Sequence, residues 1–485
     1  MPLARNSLRH AKRFELTVST DIRVSRSIGS TCPTCYQHTS KRQSTSPPSN
    51  GIHAVKKTPS ATSGIRKTGV EGSSNSFELF GEMADTLLYW VSELHRTLIG
   101  NGVKQVFFLS REGQPLKQMF DRYCVRVGVP IQSRYLEVSR RSTLLPSLNT
   151  LSEERFETLF RQYRCMSLLE FLSSLGLDEF CVELSALLGL TNEQLNQRQE
   201  DFPESELFYR LKALPRFIEI YDEQRLSRQK AFEQYISVLS EGDVPENLVV
   251  VDVGWKGTIQ DNLYALLCKG PASPIKSVTG YYIGLIAPGA AGAANLKHGL
   301  LFSSIAGRTP RFHVFNENRA LFEILLAADH GSVASYLIDT DGKALAVHDT
   351  YHEQEMVEAL VFPVQRYLFA RFDQLLDAMT QQADVKSLRL GQIARSHARL
   401  VFQPSQPEID WFSSVFHVEN YGVFERSFFT GVHKVPSFSA RLKFMFTVLR
   451  RNGRGLLGFW PWKKLDERVG RPIANLYGLI RYFQK

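Results

Sequence analysis

The sequence predicts an α/β protein, and three observations support this. The run 105–109 is apolar after its first residue, and a helical pattern and a strand pattern at 134–138 follow it. A second apolar run, 248–251, also leads through a loop into a helical pattern. Because such runs suit strands covered on both faces, and strands that alternate with helices favour parallel pairing, we predict a mostly parallel, Rossmann-like sheet.

Composition and spacing divide the chain into five segments. Residues 1–76 are rich in Ser, Thr, Lys, Arg, Gly and Pro, which predicts a disordered basic tail. Residues 77–150 and 241–335 hold the strand patterns, and we expect them to form the two parts of the α/β domain. Residues 151–240 have helical spacing and predict an inserted helical subdomain. Residues 336–485 predict a hairpin and then helices, a C-terminal α+β region.

The elements of the α/β domain follow from local spacing. Apolar residues at helical intervals predict a helix over 83–98, which the glycines of 100–102 end. Helical patterns at 115–126 and 262–267 follow the two apolar strands, and 278–284 predicts a further strand. The order strand, loop, helix, strand is that of a βαβ unit.

The net charge of +9 belongs to the N-terminal segment. Residues 1–76 contain 12 Lys and Arg against 3 Asp and Glu, whereas residues 77–485 contain 46 of each. A neutral fold argues against a nucleic-acid partner, which would favour a basic surface. No apolar run reaches the length of about 18 residues that a transmembrane helix needs.

The cysteines favour a reducing compartment. Six of them are irregularly spaced along the chain, which is not the pattern of a disulfide scaffold. Cys32 and Cys35 form a C-x-x-C pair near His38, but a zinc site would need two more convergent ligands. We interpret this pair as coincidental. Since the N-terminus also has no apolar core of a signal peptide, we expect a cytoplasmic protein.

The first candidate site follows the strand 105–109, where Ser110, Arg111, Glu112 and Gly113 occur in succession. Open α/β sheets bind ligands beyond the carboxyl ends of their strands. These residues offer a hydroxyl, a planar cation that suits phosphate, a candidate catalytic carboxylate and a tight turn. The alternative is that Arg111 and Glu112 are solvated loop charges.

The second candidate site follows the strand 134–138. Ser139 comes next, and Arg140 and Arg141 follow it. Two arginines beside the first strand end favour an anion pocket. The alternative is a pair of salt bridges that holds the loop.

The third candidate site follows the run 248–251. Asp252 ends this strand, where a carboxylate can hold a metal-bound phosphate or a ribose hydroxyl, and we expect it to be catalytic and to be the ligand of any Mg²⁺ cofactor. The binding residues expected after it are Gly254, Trp255, Gly257, Thr258 and Gln260. The glycines allow close backbone approach. The alternative is a capped helix with a buried Asp252.

One motif is interpreted as a turn. The sequence 339–342 reads Asp-Thr-Asp-Gly after a short apolar run, as in phosphatases of the haloacid dehalogenase type. Asp-Gly between two short apolar runs, however, is a strong hairpin signal. We therefore predict a hairpin with strands at 336–338 and 344–347.

The three candidate sites occur in the order of a known bacterial family. The segments 109–113, 138–146, 252–260 and 280–284, with Glu323 ahead of Gly331-Ser332, resemble predicted hydrolases of the haloacid dehalogenase superfamily. Genes for such proteins lie among those for capsule or O-antigen synthesis. The resemblance covers about residues 77–350 and implies that Glu323 contributes to ligand binding.

Two departures limit what this resemblance implies. The family turn Arg-Asp-Gly is Arg111-Glu112-Gly113 here. The hydrolase label rests on an upstream Asp-x-Asp domain, which would fall before residue 77, so we expect the chain to correspond to the second half of the family.

Three functional hypotheses follow. The first is an enzyme-like component of surface-polysaccharide biosynthesis that binds a phosphorylated sugar or nucleotide-sugar. The second is a phosphoribosyltransferase-like enzyme with Mg²⁺ and pyrophosphate in the third loop, although an acidic pair is missing there. The third is a non-catalytic scaffold for a glycosyltransferase. The aromatic, basic segment 459–464 could touch the inner membrane, although we favour its packing on the core.

Overall fold

The computed structural model describes residues 77–161, 163–270, 272–305, 307–381, 389–420, 424–428, 437–449 and 457–484. The predicted tail at 1–76, with its C-x-x-C pair, lies outside the described residues. Among the described residues, no helix combines the length and apolarity that crossing a bilayer requires.

A five-stranded parallel sheet forms the centre of the fold. Its strands are β1 (Gln105–Leu109), β2 (Gln132–Leu136), β3 (Asn247–Asp252), β4 (Ser277–Leu285) and β5 (Asn295–Ser303). They lie in the order β2-β1-β3-β4-β5. This is a doubly wound order, 2-1-3-4-5, whose direction reverses between β1 and β3. The sheet confirms the predicted parallel, Rossmann-like α/β class.

Helices make up most of the remaining structure. The first ten are α1 (Glu82–Gly100), α2 (Gly113–Val127), α3 (Arg140–Ser147), α4 (Glu157–Phe160), α5 (Leu168–Ser174), α6 (Cys181–Leu187), α7 (Asn192–Asn196), α8 (Glu206–Ala213), α9 (Pro215–Leu239) and α10 (Thr258–Leu267). The later ones are α11 (Phe312–Phe315), α12 (Ala320–Leu325), α13 (Gln354–Met356), α14 (Phe362–Gln381), α15 (Leu390–Phe402), α16 (Gln406–Ser414), α17 (Phe438–Leu449), α18 (Pro461–Val469) and α19 (Arg471–Phe483).

Both faces of the sheet are covered by helices. Successive residues of a strand point to opposite faces, and β1 shows this directly. Val106 and Phe108 pack in a core with α1, α2 and α14, whereas Phe107 and Leu109 pack with α9 and α10 on the other side. All four side chains are fully buried, which explains why the run 105–109 contains no polar residue after its first position.

The helices between β2 and β3 have a core of their own. Phe156, Phe171 and Phe208 are buried there, with ring centroids 5.2 to 6.0 Å apart. The core ends at Tyr221, in the first half of α9. The second half of α9 returns to the sheet, where Phe232 is buried against it. The segment is therefore a helical insertion that the long helix α9 connects to the sheet.

A hairpin follows the last sheet strand, as predicted. Its strands are β6 (Val333–Ile338) and β7 (Ala344–His348), and they pair antiparallel. The side chain of Asp339 accepts hydrogen bonds from the N–H groups of Asp341 (3.0 Å) and Lys343 (2.7 Å). Asp339 therefore stabilises the turn of this hairpin. A second hairpin pairs β8 (Phe416–Asn420) with β9 (Phe424–Phe428).

Two features of the fold differ from the sequence predictions. Strand β2 ends at Leu136 and not at residue 138, because Ser139 caps α3 by accepting a hydrogen bond from the N–H of Ser142. Strand β5 was not predicted, because the buried positions of its first half, Asn295 and Lys297, are polar and break the apolar pattern of a strand. Near the C-terminus, Trp460 and Trp462 are buried in the main core, which agrees with the favoured packing interpretation.

Candidate functional site: a polar cleft at the strand switch point

A polar cleft opens at the carboxyl edge of the sheet and has a volume of about 240 Å³. Its lining comes from the stretches 110–112, 138–140 and 252–259, together with Arg319, Glu323 and Ser332. The first and third stretches follow β1 and β3, the two strands between which the sheet order reverses. Ligands of doubly wound sheets bind at this switch point, so topology and cavity select the same place.

The cleft brings together eleven of the fourteen residues that the sequence singled out. They are Ser110, Arg111, Glu112, Ser139, Arg140, Asp252, Gly254, Trp255, Gly257, Thr258 and Glu323. The third stretch is separated from the other two by more than a hundred residues that include the helical insertion, yet all three line a common cavity, which is the juxtaposition that the motifs predicted.

The N-terminal ends of three helices reach the cleft. Glu112 precedes α2, Ser139 and Arg140 begin α3, and Gly257 and Thr258 begin α10. N–H groups in the first turn of a helix have no partner within the helix, and the helix dipole adds partial positive charge there. Three such ends favour an anionic group in the cleft.

Arg111, which follows β1, forms an ion pair with Glu353. Arg111 Nη1 lies 2.7 Å from Glu353 Oε2, and their side chains are 14% and 6% exposed. Burial alone would lower the pKa of Arg111, but the charges of Glu353 and Glu112 raise it above its usual value. Glu353 already neutralises Arg111, so a ligand would approach an oriented ion pair and not an isolated cation.

Asp252 is a buried acid of the cleft with a strongly perturbed pKa. Burial raises its pKa well above its usual value, and the charges of Glu112 and Glu323 raise it further. The N–H of Val253, 2.7 Å from Asp252 Oδ1, and the charge of Arg140 oppose this rise. Burial and the neighbouring carboxylates therefore shift Asp252 toward its protonated form, and a bound cation would oppose that shift.

An aromatic side chain forms one wall. Trp255 Nε1 donates a hydrogen bond of 2.7 Å to Glu323 Oε1, and the guanidinium of Arg319 lies 5.4 Å from the Trp255 ring centroid. Burial lowers the pKa of Arg319, although Glu323 opposes this. The indole thus holds both the carboxylate and the guanidinium at the edge of the cleft.

The loop after β3 packs tightly against side chains of β4 and β5 at Gly257. A Cβ on Gly257, where φ is +69°, would lie 2.8 Å from the Tyr282 hydroxyl and 3.0 Å from Lys297. The fully buried Lys297 forms an ion pair of 2.6 Å with Asp261 and donates to the carbonyl of Lys256 at 3.2 Å. The ion pair of Lys297 with Asp261 therefore supports the loop from the side opposite the cleft. The peptide bonds before Arg111 and Trp255 are both cis.

Two serine hydroxyls hold the loops together. Ser110 Oγ donates to the carbonyl of Val138 (2.7 Å) and accepts from its N–H (3.0 Å). Ser139 Oγ donates to the carbonyl of Val333 at 2.6 Å. Because each hydroxyl has one proton, neither has a second one for a ligand, and both connect neighbouring backbone segments.

Three predicted site residues do not line the cleft. Arg141 forms ion pairs with Asp178 and Asp349 and donates to the carbonyl of Ser173, so the salt-bridge alternative applies to it. A Cβ on Gly113 would lie 2.9 Å from the Phe108 carbonyl carbon, which explains this glycine by helix packing.

Gln260, the third of these residues, is fully buried beneath the loop. Its amide donates to Asn295 Oδ1 (2.7 Å) and to the carbonyl of Leu296 (2.8 Å), and it accepts from the Tyr282 hydroxyl (2.6 Å). The amide thus satisfies polar groups between β4 and β5 and has no access to the cleft.

Sequence reasoning missed three polar lining residues: Lys256, Arg319 and Ser332. Lys256 lies inside the third motif and is exposed, so the motif itself was a signal for it. Ser332 follows Gly331 in the segment that supported the resemblance. Arg319 lies far from any strand end, and no local pattern marked it.

The fold and the cleft define a doubly wound α/β protein with a polar pocket at its switch point. No family model matches the chain, and no curated protein matches it. The resemblance to the haloacid-dehalogenase-type family therefore stays a prediction that depends on the motifs alone.

Proposed function

We propose that the cleft binds the phosphate group of a phosphorylated sugar, in an enzyme-like component of bacterial surface-polysaccharide biosynthesis. The observation that carries this proposal is the convergence of three helix N-terminal ends with Arg140, Lys256 and Arg319 in one cavity. Helix N-termini and arginine forks are standard binders of phosphate oxygens. The biosynthetic setting comes from the sequence resemblance.

The size of the cavity selects among phosphorylated ligands. Ligand pockets usually measure about 300–1,000 Å³, and this cleft has about 240 Å³. The cleft lies below that range, which favours a small ligand such as a sugar monophosphate. A nucleotide-sugar would have to extend beyond the rim, so we favour the smaller ligand.

Asp252 is the proposed catalytic acid and Glu112 its partner carboxylate. Burial raises the pKa of Asp252 well above its usual value, which is the direction that suits proton donation to a departing oxygen. Mg²⁺ in proteins is commonly bound by one or two carboxylates together with substrate phosphates. If Mg²⁺ bound here, Asp252 would be ionised and would hold the ion instead of donating a proton, and the ion would supply charge neutralisation at the phosphate.

A titration of the full chain tests this proposal. We expect glucose 1-phosphate, used as a probe, to bind with one site per chain. A charge-assisted hydrogen bond is worth about 1.5–3 kcal/mol, so Arg140→Ala should weaken binding about 10- to 150-fold. Arg141→Ala is the matched control, because its neighbouring guanidinium is held outside the cleft, and it should bind normally.

The same titration separates the alternatives. Tighter binding of phosphoribosyl pyrophosphate than of sugar phosphates would favour the phosphoribosyltransferase-like hypothesis. No binding of any phosphorylated probe, with capture of a glycosyltransferase by wild type and Arg140→Ala alike, would favour the scaffold hypothesis and overturn the proposal.

We further propose that the C-terminal helices place this protein at an anionic membrane surface. One face of α19 exposes Ile473, Leu476, Ile480 and Phe483, which are 36%, 54%, 57% and 67% exposed. Their spacing of three or four residues forms a continuous apolar stripe. Residues 437–485 contain eleven Lys and Arg against two Asp and Glu. Amphipathic helices of this composition bind anionic lipid interfaces.

An apolar groove borders the same helix. It lies between α15 and α19, has a volume of about 670 Å³, and includes Phe402, Leu479 and Phe483 with Arg395. An acyl chain with an anionic headgroup would match both the apolar side chains and the guanidinium of Arg395. The groove therefore supports a lipid surface as the occupant of this face.

Vesicle sedimentation tests the membrane proposal. The full chain should sediment with phosphatidylglycerol vesicles and less with phosphatidylcholine vesicles. Leu476→Glu should reduce sedimentation several-fold, whereas Val182→Glu, a control at an 80% exposed apolar position in the insertion, should not. Equal loss in both variants, or no sedimentation of the wild type, would contradict it.

A further inference from the structure

A second cluster of functional groups lies outside the polar cleft. Glu137, His330 and His348 place three potential ligand atoms within 4.8 Å of one another, and no other such group occurs among the described residues. His348 Nε2 lies 3.0 Å from Glu137 Oε1, and the two imidazole centroids are 4.6 Å apart. The three residues come from separate segments: Glu137 directly follows β2, His330 lies in the loop before β6, and His348 ends β7.

Neighbouring groups orient two of these three side chains. His330 Nδ1 lies 2.8 Å from the carbonyl of Gly331. A carbonyl only accepts, so Nδ1 carries the proton and Nε2 presents its lone pair. Glu137 Oε2 accepts a hydrogen bond of 3.2 Å from the Tyr235 hydroxyl. A carbonyl that fixes the imidazole tautomer and a donor on the carboxylate are the outer contacts typical of protein metal sites.

We propose that Glu137, His330 and His348 bind one divalent ion of the zinc class. Two imidazoles and one carboxylate suit Zn²⁺ and Co²⁺, whereas Mg²⁺ and Ca²⁺ prefer oxygen ligands. Zinc–ligand distances of about 2.0–2.2 Å place tetrahedral donors roughly 3.3 Å apart, close to the 3.0 Å separation of His348 and Glu137. Both of these side chains are about 30% exposed, so an ion can enter from solvent.

The proposed site has an open coordination position. Three protein ligands leave room for a fourth, the arrangement of catalytic zinc sites. His330 Nε2 accepts a hydrogen bond of 2.7 Å from the Tyr135 hydroxyl. An ion would take over this lone pair, and the hydroxyl would turn its proton to the carbonyl of Arg111, 3.4 Å away. A water or an anionic oxygen bound to the ion would therefore lie beside the loop that forms one wall of the polar cleft.

The proposed site would connect the hairpin β6–β7 to the parallel sheet. His330 precedes β6 and His348 ends β7, whereas Glu137 directly follows β2 of the sheet. A bound ion would join the two, and metal that binds only the folded state stabilises it by mass action. We therefore expect the ion to raise the thermal midpoint of the full chain.

Metal titration of the full chain, after removal of metal by chelation, tests this inference. We expect one Zn²⁺ per chain and a Co²⁺ complex with visible absorption. His330→Gln and His348→Gln should each weaken Zn²⁺ binding about tenfold or more. His298→Gln, at an exposed histidine of β5, should leave it unchanged. The thermal midpoint of each variant without metal shows whether it folds.

Cys32 and Cys35 require a separate control, because thiolates also bind zinc. The Cys32→Ser/Cys35→Ser variant should retain the ion, and the Co²⁺ spectrum should have no thiolate charge-transfer band. Loss of the ion in that variant, unchanged affinity in both histidine variants, or no bound ion in the wild type would each overturn the inference. Each result is independent of phosphate binding in the cleft.

Discussion

Replacing Gly254 with alanine tests how closely the loop after β3 must approach β4. Gly254 has φ +142°, and an added Cβ would lie 2.3 Å from the carbonyl oxygen of Gly284. The loop cannot retreat freely, because Gly284 N–H donates to Val253 (3.1 Å) and Ile286 N–H donates to Trp255 (2.7 Å). The conformational cost is about 1–3 kcal/mol and overpacking adds about 1–3 kcal/mol. We expect a total loss of about 2–6 kcal/mol.

Gly270→Ala is the matched control for this substitution. Gly270 has a similar φ of +153°, but no heavy atom lies within 4 Å of its would-be Cβ. It should therefore show only the conformational cost, about 1–3 kcal/mol. Urea unfolding of both variants measures the difference, and Gly254→Ala should also bind glucose 1-phosphate more weakly. An equal or smaller loss for Gly254→Ala would refute the close-approach reasoning.

Three further predictions concern the scaffold. Phe156→Ala should cost about 3–5 kcal/mol in local stability, and hydrogen exchange should show opening of the helical insertion while the sheet stays protected. Arg141→Ala should lower the urea midpoint, because Asp349 and Asp178 lose their partner. Burial raises the pKa of Glu317 to about 8, so the contribution of this carboxyl to stability is greatest below pH 4.5 and falls as the pH rises to 8. Glu317→Gln should flatten that fall in unfolding curves between pH 4 and 9, and an unchanged slope would contradict it.

The sequence predicted the sheet core and most of the cleft for the same physical reason. A strand buried on both faces must be apolar throughout, so its polar continuation, such as Ser110 or Asp252, marks the strand end. Parallel strands end at one edge, and polar residues after neighbouring strands therefore meet there. This logic needs no knowledge of the residues between them.

The roles of three arginines could not be predicted, because they depend on contacts with residues distant in the sequence. Arg140 and Arg141 are adjacent and chemically identical in the sequence, yet the first lines the cleft and the second pairs with Asp349. Their helix, α3, turns them in different directions, and the partner lies more than two hundred positions away. Arg319 reaches the cleft through its stacking on Trp255, which no local spacing encodes.

The strand β5 illustrates another limit. Its residues 295–298 alternate between buried and exposed positions, and the buried ones include Asn295 and Lys297. Buried polar residues break the apolar pattern on which strand prediction depends. They are tolerated because Asp261 and Gln260 satisfy them, which only the folded structure reveals.

A crystal structure grown with glucose 1-phosphate would test the central claim most directly. The account predicts phosphate density in the cleft between the first turns of α3 and α10, within hydrogen-bonding distance of Arg140. Phosphate bound elsewhere on the surface, or an empty cleft at millimolar ligand that saturates the protein in solution, would contradict it.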